Sequence, residues 1–401
     1  MEINFSRLIK DVRSLLLSEH DEITDTEART IIENYIFNNE ELVFCSHKEK
    51  ALLIDRIYYS VRKDLDILDP YQSDIEVSEI MVNGKDDIFI ERKGKLERVP
   101  INFERTEDLE EVIRRIVAKV YREINELNPI VDARLADGSR INAVYKNIAL
   151  NGPILTIRKF PEQAITMENL IVWGTLTEEA AQFLVSMVEA GFNIFISGGT
   201  SSGKTTFLNV LSNFIPSDER VIVIEDSAEL QIRGIDNIVR MECRNANVQG
   251  KGEVDLQNLI KTSLRMRPDR IIVGEVRGKE VIDMIQAMNT GHDGSLCTGH
   301  GNSVVGMLRR LESMFLQAAG FPIEAIRAQI AEGIDLMVHL GRLSDGKRKV
   351  LEIAEIGGVE NNEFIVNRLY QYKAGQGLVK TGNKLLDCSK FELRGIVLHD
   401  D

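Results

Sequence analysis

Lys204 and Thr205 have the strongest claim on chemistry in this 401-residue sequence, because of the residues that precede them. Gly198 opens the spacing G-x-x-x-x-G-K-T, filled by Gly199, Thr200, Ser201 and Ser202, closed by Gly203, Lys204 and Thr205, and followed by Thr206. Glycines at this spacing let consecutive backbone N–H groups turn inward, and a helix starting at the lysine adds the positive end of its dipole beneath them. Such a cradle takes polyphosphate. Lys204 would reach the β- and γ-phosphates as a point charge, and the Thr205 hydroxyl would complete a magnesium shell made otherwise of phosphate oxygens and water.

Hydrolysis of a bound nucleotide also needs a carboxylate near the metal and a group that positions water, both at the carboxyl ends of neighbouring strands. Two apolar runs end that way. Residues 221–224 lead into Glu225 and Asp226, with Glu229 beyond, and residues 271–273 lead into Gly274, Glu275, Val276 and Arg277. Of Glu225 and Glu275, one would act on water and the other on the magnesium shell through water; the bland alternative for each is a cap on the following helix. Downstream, residues 290–302 hold His292, Cys297 and His300 among glycines. This stretch reads as a surface loop, as three of the four ligands that a structural zinc site takes, or as a loop that reports the state of the γ-phosphate.

These groups need elements to position them. Ile194, Phe195 and Ile196 form the short apolar run of a buried strand, and Phe207, Leu208, Val210, Leu211, Phe214 and Ile215 repeat at helical spacing until Pro216. Strands at 221–224 and 271–273 alternate with helices at 256–264 and 281–288, and Thr177 caps a helix leading into the first strand. The alternation predicts a mainly parallel sheet. Upstream come strand-like runs at 80–82 and 88–90 and then a hairpin turn at 92–95 before Leu96. A long helix capped by Thr106 comes next, with an apolar face from Leu109 to Ile124, then a second hairpin at Asp137 and Gly138 and a strand at 155–160. Residues 5–63 read as helices, with Ser46 and Glu49 as a capping box, and form either a docking arm or a cap packed on the next domain. The expected organisation is a helical extension over 1–66, an α+β domain over 67–160, a linker over 161–176 and an α/β domain over 177–401.

A net charge of -14 argues against direct binding of nucleic acid, which demands a basic face. Cys45, Cys243, Cys297 and Cys388 are scattered without a C-x-x-C pair, so reduced thiols are expected. No apolar run is long enough to cross a bilayer, and the first residues lack the basic-then-apolar layout of an export signal, which predicts a cytoplasmic protein.

Taken together, GGTSSGKTT, VIVIEDSAEL, RPDRIIVGEVRG and TGHDGSLCTGHGN resemble the Walker A, Asp, Walker B and His boxes of the secretion and pilus-assembly ATPases (type II/IV secretion), in that family's order. SEIMVNGKDDIFIER, DARLADGSRINAV and LTIRKF resemble the same family's N-terminal domain, so the resemblance covers about residues 69–372. Within the family the sequence is most similar to the CpaF-like ATPases of tight-adherence (Tad/Flp) pili, which carry a helical extension too. The resemblance implies an α/β fold: a RecA-like P-loop NTPase motor domain preceded by a smaller α+β domain and the extension. It implies ATP and magnesium as ligands, and a homo-oligomeric, usually hexameric, ring at the cytoplasmic face of the inner membrane, held there through inner-membrane platform proteins. It also matches Arg140 and Arg158 to arginines that approach the γ-phosphate when the domains close, with Arg134 behind them, and His300 to the γ-phosphate sensor. Rival readings are an ATPase of type IV secretion that moves proteins or DNA, and a scaffold that binds nucleotide but scarcely hydrolyses it. Gly299 and Gly301 depart from the branch, which usually has a bulkier residue and alanine there, a difference that bears on the stiffness of the His300 loop and on turnover.

Overall fold

The computed structural model describes residues 5–18, 23–135, 137–160, 165–244, 251–318 and 320–396. The chain divides into two compact units, Met1–Gln163 and Ala164–Asp401.

The first unit opens with α1 (Phe5–Ser18), α2 (Asp25–Asn38) and α3 (His47–Arg62). Phe5, Leu8, Val12, Ile32, Ile36, Ile54 and Ile57 give these helices a core of their own. Ser46 caps α3 as its sequence predicts: its hydroxyl accepts from the Glu49 amide, and the Glu49 carboxylate accepts from the Ser46 amide at 2.7 Å. The extension also packs on the α+β domain. Arg56 pairs with Glu104 at 3.5 Å, and Arg115 donates to the Lys63 carbonyl at 3.0 Å, so the helices form a cap.

After a short α4 (Asp69–Ser73) come β1 (Val77–Asn83), β2 (Ile88–Arg92), β3 (Lys95–Arg98), α5 (Thr106–Lys119), β4 (Ile130–Arg134), β5 (Arg140–Val144) and β6 (Ile154–Arg158). The six strands make one antiparallel sheet in the order β3-β2-β1-β6-β5-β4. Leu109, Val112, Ile113, Ile116 and Val117 of α5 cover one face of it, against Ile80, Val82, Ile141 and Ile157. The helix is shorter than its apolar pattern predicts. It stops at Lys119, where Tyr121 takes a left-handed φ of 55° and points into solvent, and Ile124 re-enters the core from a loop. Its cap is Arg105, whose amide donates to Asp108; Thr106 is already helical.

The second unit contains α6 (Met167–Val172), α7 (Glu178–Glu189), β7 (Ile194–Gly198), α8 (Lys204–Ser212), β8 (Val221–Glu225), β9 (Ile238–Glu242), α9 (Leu256–Ser263), β10 (Arg270–Val276) and α10 (Glu280–Asn289). It continues with β11 (Leu296–His300), α11 (Val304–Ala318), α12 (Ile323–Gly333), β12 (Leu336–Arg342), β13 (Arg348–Glu360), β14 (Glu363–Lys373), β15 (Gly377–Lys380) and α13 (Ser389–Arg394). The expected linker falls partly outside the described residues, and from Met167 it is α6, whose Met167 and Leu170 are buried in the core of the second unit. Helix α8 ends at Ser212, short of Pro216.

Strands β12, β7, β11, β10, β8 and β9 lie parallel in that order, and β13, β14 and β15 extend the sheet antiparallel beyond β12. The expected parallel sheet is there, and the antiparallel wing is an addition to it. Alternation along β7 sends Ile194 and Ile196 to the core under α7 and α8, and Phe195 to the core under α10, α11 and α12. At the amino ends of the strands α13 is clipped on: Lys390 pairs with Asp335 at 2.6 Å, Arg394 with Glu219, and the Phe391 ring lies 5.1 Å from that of Phe192. Glu219 also meets the fully buried Arg270 guanidinium, which would otherwise be an uncompensated charge in the core.

Candidate active site

The glycine loop, the expected phosphate cradle, spans β7 to α8. Gly198 is dictated by crowding, since a Cβ there would stand 2.5 Å from the Ser202 hydroxyl and 2.6 Å from the Leu340 carbonyl. Gly203 turns the chain into α8 at a φ of 94°, and Ser201 holds a left-handed φ of 57° with its carbonyl accepting from Arg348 Nε at 3.1 Å. Lys204 is buried. Its ammonium donates to the Gly199 carbonyl at 3.1 Å and lies 3.3 Å from His300 Nδ1. Burial pushes its pKa down, against the pull of Glu275. The Ser202 hydroxyl is buried without a hydrogen-bond partner among the described residues. A desolvated cation, an orphaned donor and the first amides of α8 fit a polyphosphate.

From Lys204 a chain of contacts runs across the strand ends. His300 Nε2 lies 2.8 Å from one oxygen of Glu275, and Arg277 Nη2 lies 3.0 Å from the other. Arg277 also reaches Asp226 at 3.5 Å. Burial and then the nearby Lys204 push the His300 pKa down. A neutral imidazole accepts from Lys204 at Nδ1 and turns Nε2–H toward Glu275, which gives each nitrogen a polar neighbour. Glu225 is tied differently: buried at the end of β8, it accepts the Glu229 and Leu230 amides at 2.8 and 3.0 Å. It therefore caps a turn, and Glu275 is the carboxylate that joins Lys204 and His300.

Thr205 and Thr206 are half-buried in the first turn of α8. Among the described residues no three His, Cys, Asp or Glu side chains are grouped to hold a metal. The zinc reading of His292, Cys297 and His300 fails on placement. Cys297 is buried in the β11 core, where its thiol is pushed up by desolvation, and His292 Nδ1 lies 3.1 Å from the Ala287 carbonyl. A Cβ at Gly299 would stand 2.8 Å from Phe195 Cζ, and one at Gly301 would stand 3.0 Å from Met307 Cβ and Sδ, so both glycines are packed into place.

The arginines lie in the first unit. Arg134 is the register partner of Arg140, Arg140 of Arg158, and Arg158 of Glu79, so one row crosses β4, β5, β6 and β1. Alternation puts this row on the sheet face opposite the core residues Val131, Ile141 and Leu155. Arg134 also stacks over Phe160 at 5.4 Å.

The residues not assigned roles from sequence are Arg277, Asp226, Arg348, Ser197 and His339. For Arg277 there is a signal: two residues after Glu275 at the end of a strand, it shares that residue's face. Arg348 has none, being far from the loop in sequence.

A family model described as type II/IV secretion system protein matches residues 62–379, which is most of the chain. The chain belongs to the type II/IV secretion ATPase family. A conjugal transfer protein of Rhizobium radiobacter, TrbB, is 34% identical over 295 residues, covering 73% of this chain and 87% of the relative. An uncharacterized protein of Methanocaldococcus jannaschii is 45% identical over 249 residues, or 60% of this chain, which spans only 34% of that relative's length. The crystal structure of the pilus retraction motor PilT with bound ADP shares the fold, with a TM-score of 0.53 and 18% identity over 82% of this chain and 85% of PilT. The second unit accordingly has an α/β fold shared with that structure, and in the first unit an α+β domain follows a helical extension.

Proposed function

We propose that the protein is an ATP-hydrolysing motor that works at the cytoplasmic face of a membrane as a homo-oligomeric ring, hexameric by analogy. The observation that carries this is Lys204: a buried cation in a glycine loop, linked through His300 to Glu275. Residues 198–206 bind the triphosphate, with Lys204 on its terminal phosphates. Thr205, with Glu225 or Glu275 through water, holds magnesium, which when bound withdraws charge from the phosphates. Glu275 takes the role of the group that orients and deprotonates water, and His300 reports on the γ-phosphate. Arg140 and Arg158 supply positive charge as the terminal phosphate departs. Arg134, Arg140 and Arg158 occupy adjacent register positions on one sheet face, so their side chains leave the sheet together.

The work would pass to inner-membrane platform proteins that assemble a Tad/Flp-type pilus, a reading supported by the four boxes and by the helical extension. A second reading, a type IV secretion ATPase moving proteins or DNA, draws on the likeness to TrbB. A third reading, a scaffold that binds nucleotide with little hydrolysis, draws on Gly299 and Gly301 beside His300, and tight ATP binding without phosphate release would favour it.

Steady-state phosphate release tests the site. Glu275→Gln keeps the size of the side chain and should lower turnover by about 10²- to 10⁴-fold while nucleotide still binds. Unchanged turnover would show that Glu275 is not the residue acting on water.

A further inference from the structure

Beside the phosphate loop, and apart from the residues given a role at the phosphate, lies a buried polar pair. Ser197, the penultimate residue of β7, places its hydroxyl 2.9 Å from Nδ1 of His339 on β12. The serine is fully buried and the histidine nearly so, with 6% exposure. Sheet register makes them direct partners, and Ser197 faces Gly299 of β11 on its other side. Burial pushes the imidazole's pKa down, and a hydrogen bond with the Asn302 main chain opposes that shift, so the ring donates there. One tautomer serves both ends: with the Ser197 hydroxyl donating to Nδ1, the ring's N–H is left on Nε2, free to serve the Asn302 main chain. A second tie runs parallel to it, from the Gly301 amide to the Gly198 carbonyl at 3.3 Å.

An imidazole and a hydroxyl cost free energy to bury, and an apolar pair would fill this part of the sheet as well. What the polar pair adds is a link between three strand ends: β12, the strand that enters the phosphate loop, and the segment just after His300. We propose that His339 is a positioning residue that fixes the segment after β11, and with it His300, against the base of the phosphate loop. The inference rests on the reading of His300 as a group acting at the phosphate.

The test uses the full chain with His339→Leu, His339→Gln and Ser197→Ala. Glutamine can accept from Ser197 and donate to Asn302; leucine can do neither. His339→Leu should lower kcat for ATP by about 10- to 100-fold with KM within about twofold, as misplacement of a reacting group does. His339→Gln should recover most of that loss, and Ser197→Ala should fall between. Amide hydrogen exchange at Gly301 and Asn302 should quicken by about tenfold or more in His339→Leu, a local opening distinct from global unfolding. Exchange that does not change, or a glutamine variant no better than leucine, would overturn the proposal. So would normal turnover in His339→Leu where His300→Ala is inactive. If His300→Ala itself hydrolyses ATP normally, the reading of the site fails, and the exchange result decides the link alone.

Discussion

Removing two guanidinium groups together, with Arg140→Ala and Arg158→Ala, is expected to slow ATP turnover by about 10³- to 10⁵-fold. The two residues are register partners on adjacent strands, so both side chains leave the sheet on one face and side by side. A guanidinium that meets the terminal phosphate only as charge builds on it lowers the barrier by ~4 to 7 kcal/mol at that scale. If these were strand arginines paired with surface acids, each would contribute about 0 to 1 kcal/mol and the double variant would turn over ATP almost normally. Phosphate release at saturating ATP separates the two outcomes by orders of magnitude. Nucleotide binding to the phosphate loop should survive in the variant, because that loop belongs to the other unit.

Lys204→Ala carries the second large effect, with two readouts moving in opposite directions. Turnover should fall by about 10²- to 10³-fold or more, as when a preorganised donor to developing charge is lost. Stability should hold or rise. Among the described residues the buried ammonium bonds a carbonyl and a histidine, with no carboxylate at ion-pair distance, so folding pays for its desolvation. Phosphate release and a thermal melt of the same sample check both. A variant that lost turnover because it unfolded would show a lower melting midpoint instead.

How much is legible in the sequence depends on the range of the interactions. The Ser46 capping box, the two hairpins of the α+β domain and the strand, loop and helix around Lys204 are local, and their signals sit within a few residues. The end of α5 is hidden because the apolar period continues past Lys119, whereas the helix ends through a left-handed Tyr121 that periodicity does not register. The long β13–β14 hairpin does carry a signal. Asn361 and Asn362 both take positive φ, 49° and 63°, and paired asparagines suit such a two-residue turn. At the site, the phosphate-loop residues and the carboxylates can be read, but the division between them cannot. Glu225 accepts two amides of its own turn while Glu275 faces His300, a distinction set by how β8 and β10 end side by side. The pairing of Ser197 with His339 needs residues 142 positions apart in sequence and leaves no local trace.

A Cβ at Gly301 would stand 3.0 Å from Met307 Cβ and Sδ, so these two positions share one allotment of volume. A lineage that places alanine at 301 has to thin or redirect the side chain at 307, and a lineage that keeps methionine is held to glycine. Neither can drift alone. Evolution at this corner should therefore proceed by coupled exchange, visible as covariation of the two columns when related chains are aligned.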